Sequence, residues 1–258
     1  MIPILFEDEA IVAVDKPSGL LTVPDRWDKK EDNLHGLLES RSGKKIWVVH
    51  RLDKETSGVV LFAKTSEAHR HLSLQFETHF VRKEYRALAH GLLREDSGSW
   101  AYALAEDLRH PGRMVASPVG KFAQTDFKVL ERFPKAQVTW LSLSPQTGRT
   151  HQIRVHMRCA GHAVIGDDRY GLAKDGIYLS RLKRAYKPSQ KYRDTIPMAK
   201  SQLGHVPVFL EKPLLSRLAL HACAVEFKHP TSDRSMTIRA ELPKDLELTL
   251  KYLKKLGA

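Results

Sequence analysis

Three short segments carry residue types that could do chemistry. The first is HRLDKETSG, His50–Gly58, a polar loop between two runs that read as strands. Asp53 sits there between Arg51 and Lys54. Neighbouring cations favour an ionised carboxylate, the form that a nucleophile or a general base must take. A loop held between buried strands is a rigid mount for such a group. The plainer alternative is a turn aspartate bonded to its own backbone.

The second segment is TGRTHQIR, Thr147–Arg154. Arg149 and Arg154 fall near the start of a predicted helix, whose positive end disfavours cations. A phosphate or carboxylate partner would account for them. His151, Arg154 and Arg158 share one face by helical spacing, and the alternative is a solvated basic face. The third segment is KEYRALAHG, Lys83–Gly91. Tyr85 lies on a predicted strand flanked by Lys83 and Arg86, and an aromatic ring among cations can stack on a base. A core tyrosine with its hydroxyl at the rim is the competing reading.

The elements that must position these groups are legible in the periodicity. ILF and AIVAV (within Ile4–Val14), IWVV (Ile46–Val49), GVVLFAK (Gly58–Lys64), EYRALAHGLL (Glu84–Leu93), TDFKVLERF (Thr125–Phe133), QVTWLSLS (Gln137–Ser144) and LALHACAVEF (Leu218–Phe227) read as strands. Helices are expected over Asp32–Arg41 with Asp32 as cap, and from a Ser66 cap to about Thr78. Another opens after a Thr150 cap and stops at Gly161, and the last spans Pro243–Leu256 with lysines near its end. Strands and helices alternate irregularly, so an α+β fold is expected.

The chain has 258 residues and a formal net charge of +12, from 42 Lys and Arg against 30 Asp and Glu. A surplus of that size points to a polyanionic partner. Cys159 and Cys223 form no CxxC pair, and a reducing compartment is expected. The start of the chain lacks a signal-peptide pattern and no long apolar run occurs, so no membrane span and a cytoplasmic location are expected. Nucleotide-binding, nucleophile-elbow and zinc-protease motifs are missing, and His69 and His71 are two apart, pointing to different helix faces. Neither a cofactor nor a metal is expected. From Lys174 to Lys212 nine cations are interleaved with Tyr178, Tyr186 and Tyr192. A polar connection of that length is usually functional. A single domain over residues 1–258 with a basic insertion at about 174–212 is the expected organisation, and a monomer the expected state.

Taken together, these segments resemble the RluA-type pseudouridine synthase family. HRLDKETSG, KEYRA, TGRTHQIRVHM, GHAVIGDDRYG (Gly161–Gly171) and LALHA (Leu218–Ala222) match its motifs in order, and VAVDKPSGLLTVP resembles its opening segment. The similarity runs from about Ile4 to Phe227. It implies a mixed, largely antiparallel sheet with flanking helices and a central RNA-binding cleft. One departure is that only a few residues precede Ile4, so a member without the small N-terminal S4-like RNA-binding domain of some relatives is expected.

Residue by residue, the resemblance makes Asp53 the catalytic aspartate, Tyr85 the tyrosine under the uracil and Arg154 the partner of the aspartate. Arg51 would enter the RNA stack where the target base leaves. Arg149, His151, Arg181, Lys183 and Arg184 are the further cations expected to hold RNA, an rRNA or a tRNA. The implied reaction breaks the C1′–N1 bond of a uridine and joins C5 to C1′, after the nucleotide flips out. Asp53 either attacks C1′ or removes the C2′ proton. A noncatalytic RNA-binding protein on the same scaffold is the alternative. A glycosidase is a weaker rival, because it needs two opposed carboxylates.

Overall fold

The computed structural model describes residues 2–25, 31–171, 176–182 and 213–256. In chain order these form β1 (Ile4–Glu7), β2 (Ile11–Lys16), α1 (Leu34–Ser42), β3 (Trp47–Val48), β4 (Ser57–Ala63), α2 (Ser66–Glu77), β5 (Arg82–His90), β6 (Ser97–Glu106), β7 (Met114–Ala116), β8 (Lys121–Phe133), β9 (Val138–Pro145), α3 (Gln152–Cys159), α4 (Leu179–Leu182), β10 (Leu220–Lys228), β11 (Ser235–Arg239) and α5 (Lys244–Leu256).

The strands join in one sheet, ordered β1-β2-β4-β10-β5-β9-β8-β6-β7, with β3 on β4 and β11 on β10. All named pairs are antiparallel except β4 with β10, which run parallel through His221 opposite Ser57 and Ala222 opposite Gly58. This is the mixed, largely antiparallel α+β architecture. The strand β10 is the seam of the sheet. The N-terminal strands lie on one side of it and β5, β9, β8, β6 and β7 on the other.

The period-two alternation along β2 and β4 explains why both read as continuous apolar runs. Ile11, Ala13, Val59, Leu61 and Ala63 pack with Ala68 and Leu72 of α2. Their neighbours Val12, Val14, Val60 and Phe62 pack with Leu34 and Leu38 of α1. Successive strand side chains face opposite ways, so a strand covered on both faces needs apolar residues at every position. Each large side chain buried this way contributes about 1.5–3 kcal/mol. A further core joins β5, β9 and the 214–220 segment to α3 and α5.

Helix starts differ from expectation by one residue. The α1 cap is Asn33, whose side chain accepts Gly36 N–H at 2.9 Å, not Asp32. The α2 cap is Thr65, accepting from Ala68 at 3.1 Å, not Ser66. The α3 cap position is His151, not Thr150; it lies in the left-handed region with φ 53° and makes no side-chain cap bond. Strands β6, β7 and β11 lie outside the strands expected from the sequence. Cys159 and Cys223 are free. Among the described residues no helix is long and apolar enough to cross a membrane.

Candidate active site

The loop His50–Thr56 joins β3 to β4 and is clamped from beneath by the turn that follows β2. The Lys16 side chain is completely buried and its Nζ donates to Pro17 O (2.9 Å), Leu20 O (2.6 Å) and Lys54 O (2.9 Å). Gly19 N–H also bonds Lys54 O at 2.8 Å, and Ser18 Oγ bonds Glu55 O at 2.7 Å. On the other flank, Thr22 Oγ1 donates to Leu52 O at 2.8 Å and accepts Leu52 N–H at 3.2 Å. The residues on both sides of Asp53 are thus pinned by one partner segment. Burial lowers the Lys16 ammonium to about 8, against the pull of Glu55 and Asp53.

Downstream, Gly58 has φ 116°, and a Cβ there would lie 2.1 Å from Ala222 O. Only glycine lets β4 approach β10 so closely. Ser57 Oγ meets His221 Nδ1 at 3.0 Å across the same seam.

Asp53 faces a cleft of about 520 Å³, lined also by Arg51, Lys83, Tyr85, His151 and Arg154. That volume falls within the usual range for small-molecule pockets, about 300–1,000 Å³. Arg154 Nη1 lies 3.3 Å from Asp53 Oδ2. The guanidinium also makes a two-pronged pair with Asp167, Nε to Oδ2 and Nη2 to Oδ1, both 2.7 Å, and Nη2 reaches Asp168 Oδ1 at 3.4 Å. Burial alone would raise Asp167, but Arg154 and the backbone N–H groups of Tyr170 and Arg169 hold it below the usual carboxylate range. Burial works against the Arg154 charge, yet the Asp167 bonds and the Asp53 carboxylate raise its pKa, so it stays cationic.

His151 stands beside this pair, with Nε2 3.9 Å from Asp53 Oδ2 and Nδ1 2.8 Å from Tyr170 Oη. Burial lowers its pKa; Arg154 and Arg169 add to the shift and Asp53 opposes it. Gln152, the first residue of α3, is buried with both ends of its amide bonded. Its Oε1 accepts from Thr147 Oγ1 (2.6 Å) and Arg149 N (3.0 Å), and its Nε2 donates to Gln124 O (2.8 Å) and Thr125 Oγ1 (3.0 Å). This single side chain fixes the turn ahead of the helix.

Tyr85 sits across the seam from Asp53, its backbone paired with Ala222 of β10 and Leu143 of β9. Burial, then the Asp53 charge, push its phenol far above the ordinary range. It is a neutral hydroxyl at any working pH. Lys83 shares the Tyr85 face by strand alternation. It donates to Thr147 O at 3.2 Å, and burial lowers it to about 8. Arg86 faces the other side, where it bonds Glu84 and Ser142. His50 is a neutral acceptor at the cleft wall: its Nε2 takes Leu61 N–H at 2.9 Å, and burial lowers it to about 3.

The structure therefore brings Asp53, Tyr85 and Arg154 into one cleft, with Arg51 exposed at its wall and Arg149 exposed near the α3 start, its Nε on Phe122 O at 3.2 Å. Three expectations are corrected. Lys54 turns away from Asp53 to pair with Glu31, so the cation beside the aspartate is Arg154. Arg158 does not join the His151 and Arg154 face: it is exposed while Arg154 is buried. Arg86 points away from Tyr85. Lys183 and Arg184 lie outside the described residues, and only the backbone of Arg181, within α4, is described. Sequence reasoning gave no role to Asp167, Tyr170, Lys16 or Gln152. The pair Asp167–Asp168 within GHAVIGDDRYG was the available signal for an arginine partner.

One carboxylate in contact with a buried arginine, and a neutral tyrosine, thus line the same cleft. Residues 10–158 match the family described as RNA pseudouridylate synthase. Ribosomal large subunit pseudouridine synthase D of Neisseria meningitidis serogroup A is 35% identical over 256 residues, 97% of this chain and 61% of that protein. Dual-specificity RNA pseudouridine synthase RluA of Vibrio vulnificus is 40% identical over 184 residues, 70% of this chain and 73% of that protein. The solved structure of Human RNA Pseudouridylate Synthase Domain Containing 4 superposes with a TM-score of 0.68 at 25% identity, over 98% of this chain and 93% of that one. The chain belongs to the RNA pseudouridylate synthase family and is of the RluA type.

Proposed function

We propose that the cleft converts a specific uridine of a structured rRNA or tRNA to pseudouridine. The observation that carries this reading is the Asp53–Arg154 contact at 3.3 Å, opposite Tyr85. A uracil inside a stack is out of reach, so the nucleotide flips into the cleft, and Arg51 fills the space it leaves. Asp53 then acts on the sugar at C1′ or C2′. The C1′–N1 bond breaks, the uracil turns, C5 bonds C1′, and the C5 proton is lost while N1 gains one. The change is isomeric, with no net oxidation. Arg154 holds the carboxylate in place through its 3.3 Å contact. Tyr85 stacks on the base and can accept a bond from, or give one to, the turning uracil. The rim cations engage phosphates.

The basic insertion at about 174–212, through Arg181, Lys183 and Arg184, contributes affinity for folded RNA within the same reading. The protein works as a cytoplasmic monomer.

The test is Asp53→Asn, which keeps size and removes charge. Pseudouridine formation on total rRNA and tRNA should vanish while RNA binding persists. Turnover by the purified variant would defeat the assignment. Pseudouridine maps of cells with and without the gene then identify the uridine.

A further inference from the structure

We propose that Tyr170 and His151 form a positioning pair for Asp53. Tyr170 fixes the imidazole so that its Nε2–H faces the carboxylate, and His151 steers that carboxylate instead of gripping RNA. This rests on the reading of Asp53 as the reacting group.

The backbone supplies the first argument. His151 takes a left-handed conformation, φ 53°, at the start of α3 and gives the helix no side-chain cap. A non-glycine residue is uncommon there, and asparagine, aspartate or serine would cap better. The imidazole is held for what it faces.

Hydrogen-bond accounting supplies the second. Tyr170 is 3% exposed, and its Oη accepts Met114 N–H at 2.8 Å. The other partner of that oxygen is His151 Nδ1 at 2.8 Å. A buried phenol places its hydrogen on an acceptor, and Nδ1 is the acceptor available. The proton of the neutral imidazole is therefore on Nε2, the nitrogen 3.9 Å from Asp53 Oδ2. That separation is longer than a hydrogen bond. A movement of about 1 Å, of the kind that tightens catalytic contacts when substrate binds, would make it one.

The same tyrosine touches the other group on Asp53. The Arg154 guanidinium carbon lies 5.1 Å from the centre of the Tyr170 ring, and Tyr170 N–H bonds Asp167 Oδ1 at 2.9 Å. The ring of Tyr170 thus contacts the arginine while its hydroxyl orients the histidine. Both converge on the same oxygen, Asp53 Oδ2.

The deciding experiment compares His151→Gln with His151→Asn, and adds Tyr170→Phe. A glutamine amide can occupy the Nε2 position, whereas an asparagine amide reaches only Nδ1 but suits the left-handed backbone better. Steady-state kinetics on the native RNA should show His151→Gln keeping a kcat about tenfold above His151→Asn, the scale of one hydrogen bond. Tyr170→Phe should lower kcat about tenfold with KM nearly unchanged. Asparagine equal to or better than glutamine would mean that only the backbone turn matters, and would overturn the proposal. A raised KM with intact kcat in the His151 variants would restore His151 as an RNA contact and overturn it equally. Asp53→Asn assayed in parallel separates the two levels. If that variant turns over, the underlying reading fails; if it is inert and the His151 order is reversed, only the positioning pair fails.

Discussion

Arg154 grips Asp167 with two bonds of 2.7 Å and meets Asp53 with a different nitrogen at 3.3 Å. The arginine is anchored by the buried acid and merely presented to the cleft acid. That division leaves Asp53 free to change its bonding during a reaction without releasing the arginine.

Asp167→Asn should therefore damage both stability and rate. It leaves a buried guanidinium with half its partner, a loss of about 3–5 kcal/mol for broken buried pairs. The rate should fall about 10–100-fold through a misplaced Arg154. Urea unfolding and single-turnover kinetics measure the two effects. Wild-type values in both would show that the anchoring role is wrong.

Tyr85→Phe keeps the ring on a strand position registered against Ala222 and Leu143 and removes only a hydroxyl that burial keeps protonated. RNA affinity should stay within about twofold, since base stacking needs the ring face. Turnover should drop as the turning uracil loses the hydrogen bond of that hydroxyl. An unchanged turnover would restrict Tyr85 to stacking.

The site was more legible than the sheet that carries it. HRLDKETSG and TGRTHQIR advertise themselves because cations sit beside an acid and at a helix start. Asp167 and Tyr170 were opaque because their meaning depends on Arg154 and His151 coming within bonding distance, which no local pattern encodes. β6 escaped because SGSWAYALAE is largely exposed and alternates weakly. It is held by pairing with β8 from Ser97 to Leu104, a tertiary effect that overrides weak propensity. The two-residue parallel contact of β4 with β10 spans 164 residues and is invisible to periodicity. Thr150 looked like a cap by residue type, but the turn is fixed by Gln152, and α3 starts one residue later.

RNA binding should weaken steeply with salt. A chain of net charge +12 that neutralises several phosphates releases their counterions. Arg51 is exposed and has no ion-pair partner among the described residues. Arg51→Ala should flatten the slope of log affinity against log salt if the arginine meets a phosphate, and leave it unchanged if it only fills the stack. Filter binding between low and physiological salt reads the slope. A flat dependence for the wild type would contradict a basic cleft.

Acid should destabilise the fold before the carboxylates titrate. Burial lowers His50 from 6.5 to about 3 and His156 and His221 from 6.5 to about 4. Below 6.5 the unfolded chain takes up protons that the folded chain refuses, so stability falls as pH falls from 6.5 toward about 4. Each histidine contributes up to about 1.4 kcal/mol per pH unit. Urea midpoints at several pH values test this, and His156→Phe should make the slope shallower by one proton. A pH-independent midpoint over that window would refute the assignment of neutral buried imidazoles.

The position of β10 bears on when the protein becomes competent during its synthesis. Asp53 belongs to the strands on one flank of β10, and Tyr85, with Arg154, to those on the other. Gly58 and Tyr85 both register against Ala222. A nascent chain can build each flank early, from neighbours close in sequence, but the acid and its partners acquire their spacing only when a strand made more than 160 residues after Ser57 slots between them. Such late, long-range closure is slow relative to local pairing. Until β10 is made, Asp53 on one flank and Tyr85 on the other lack the strand against which both flanks are registered.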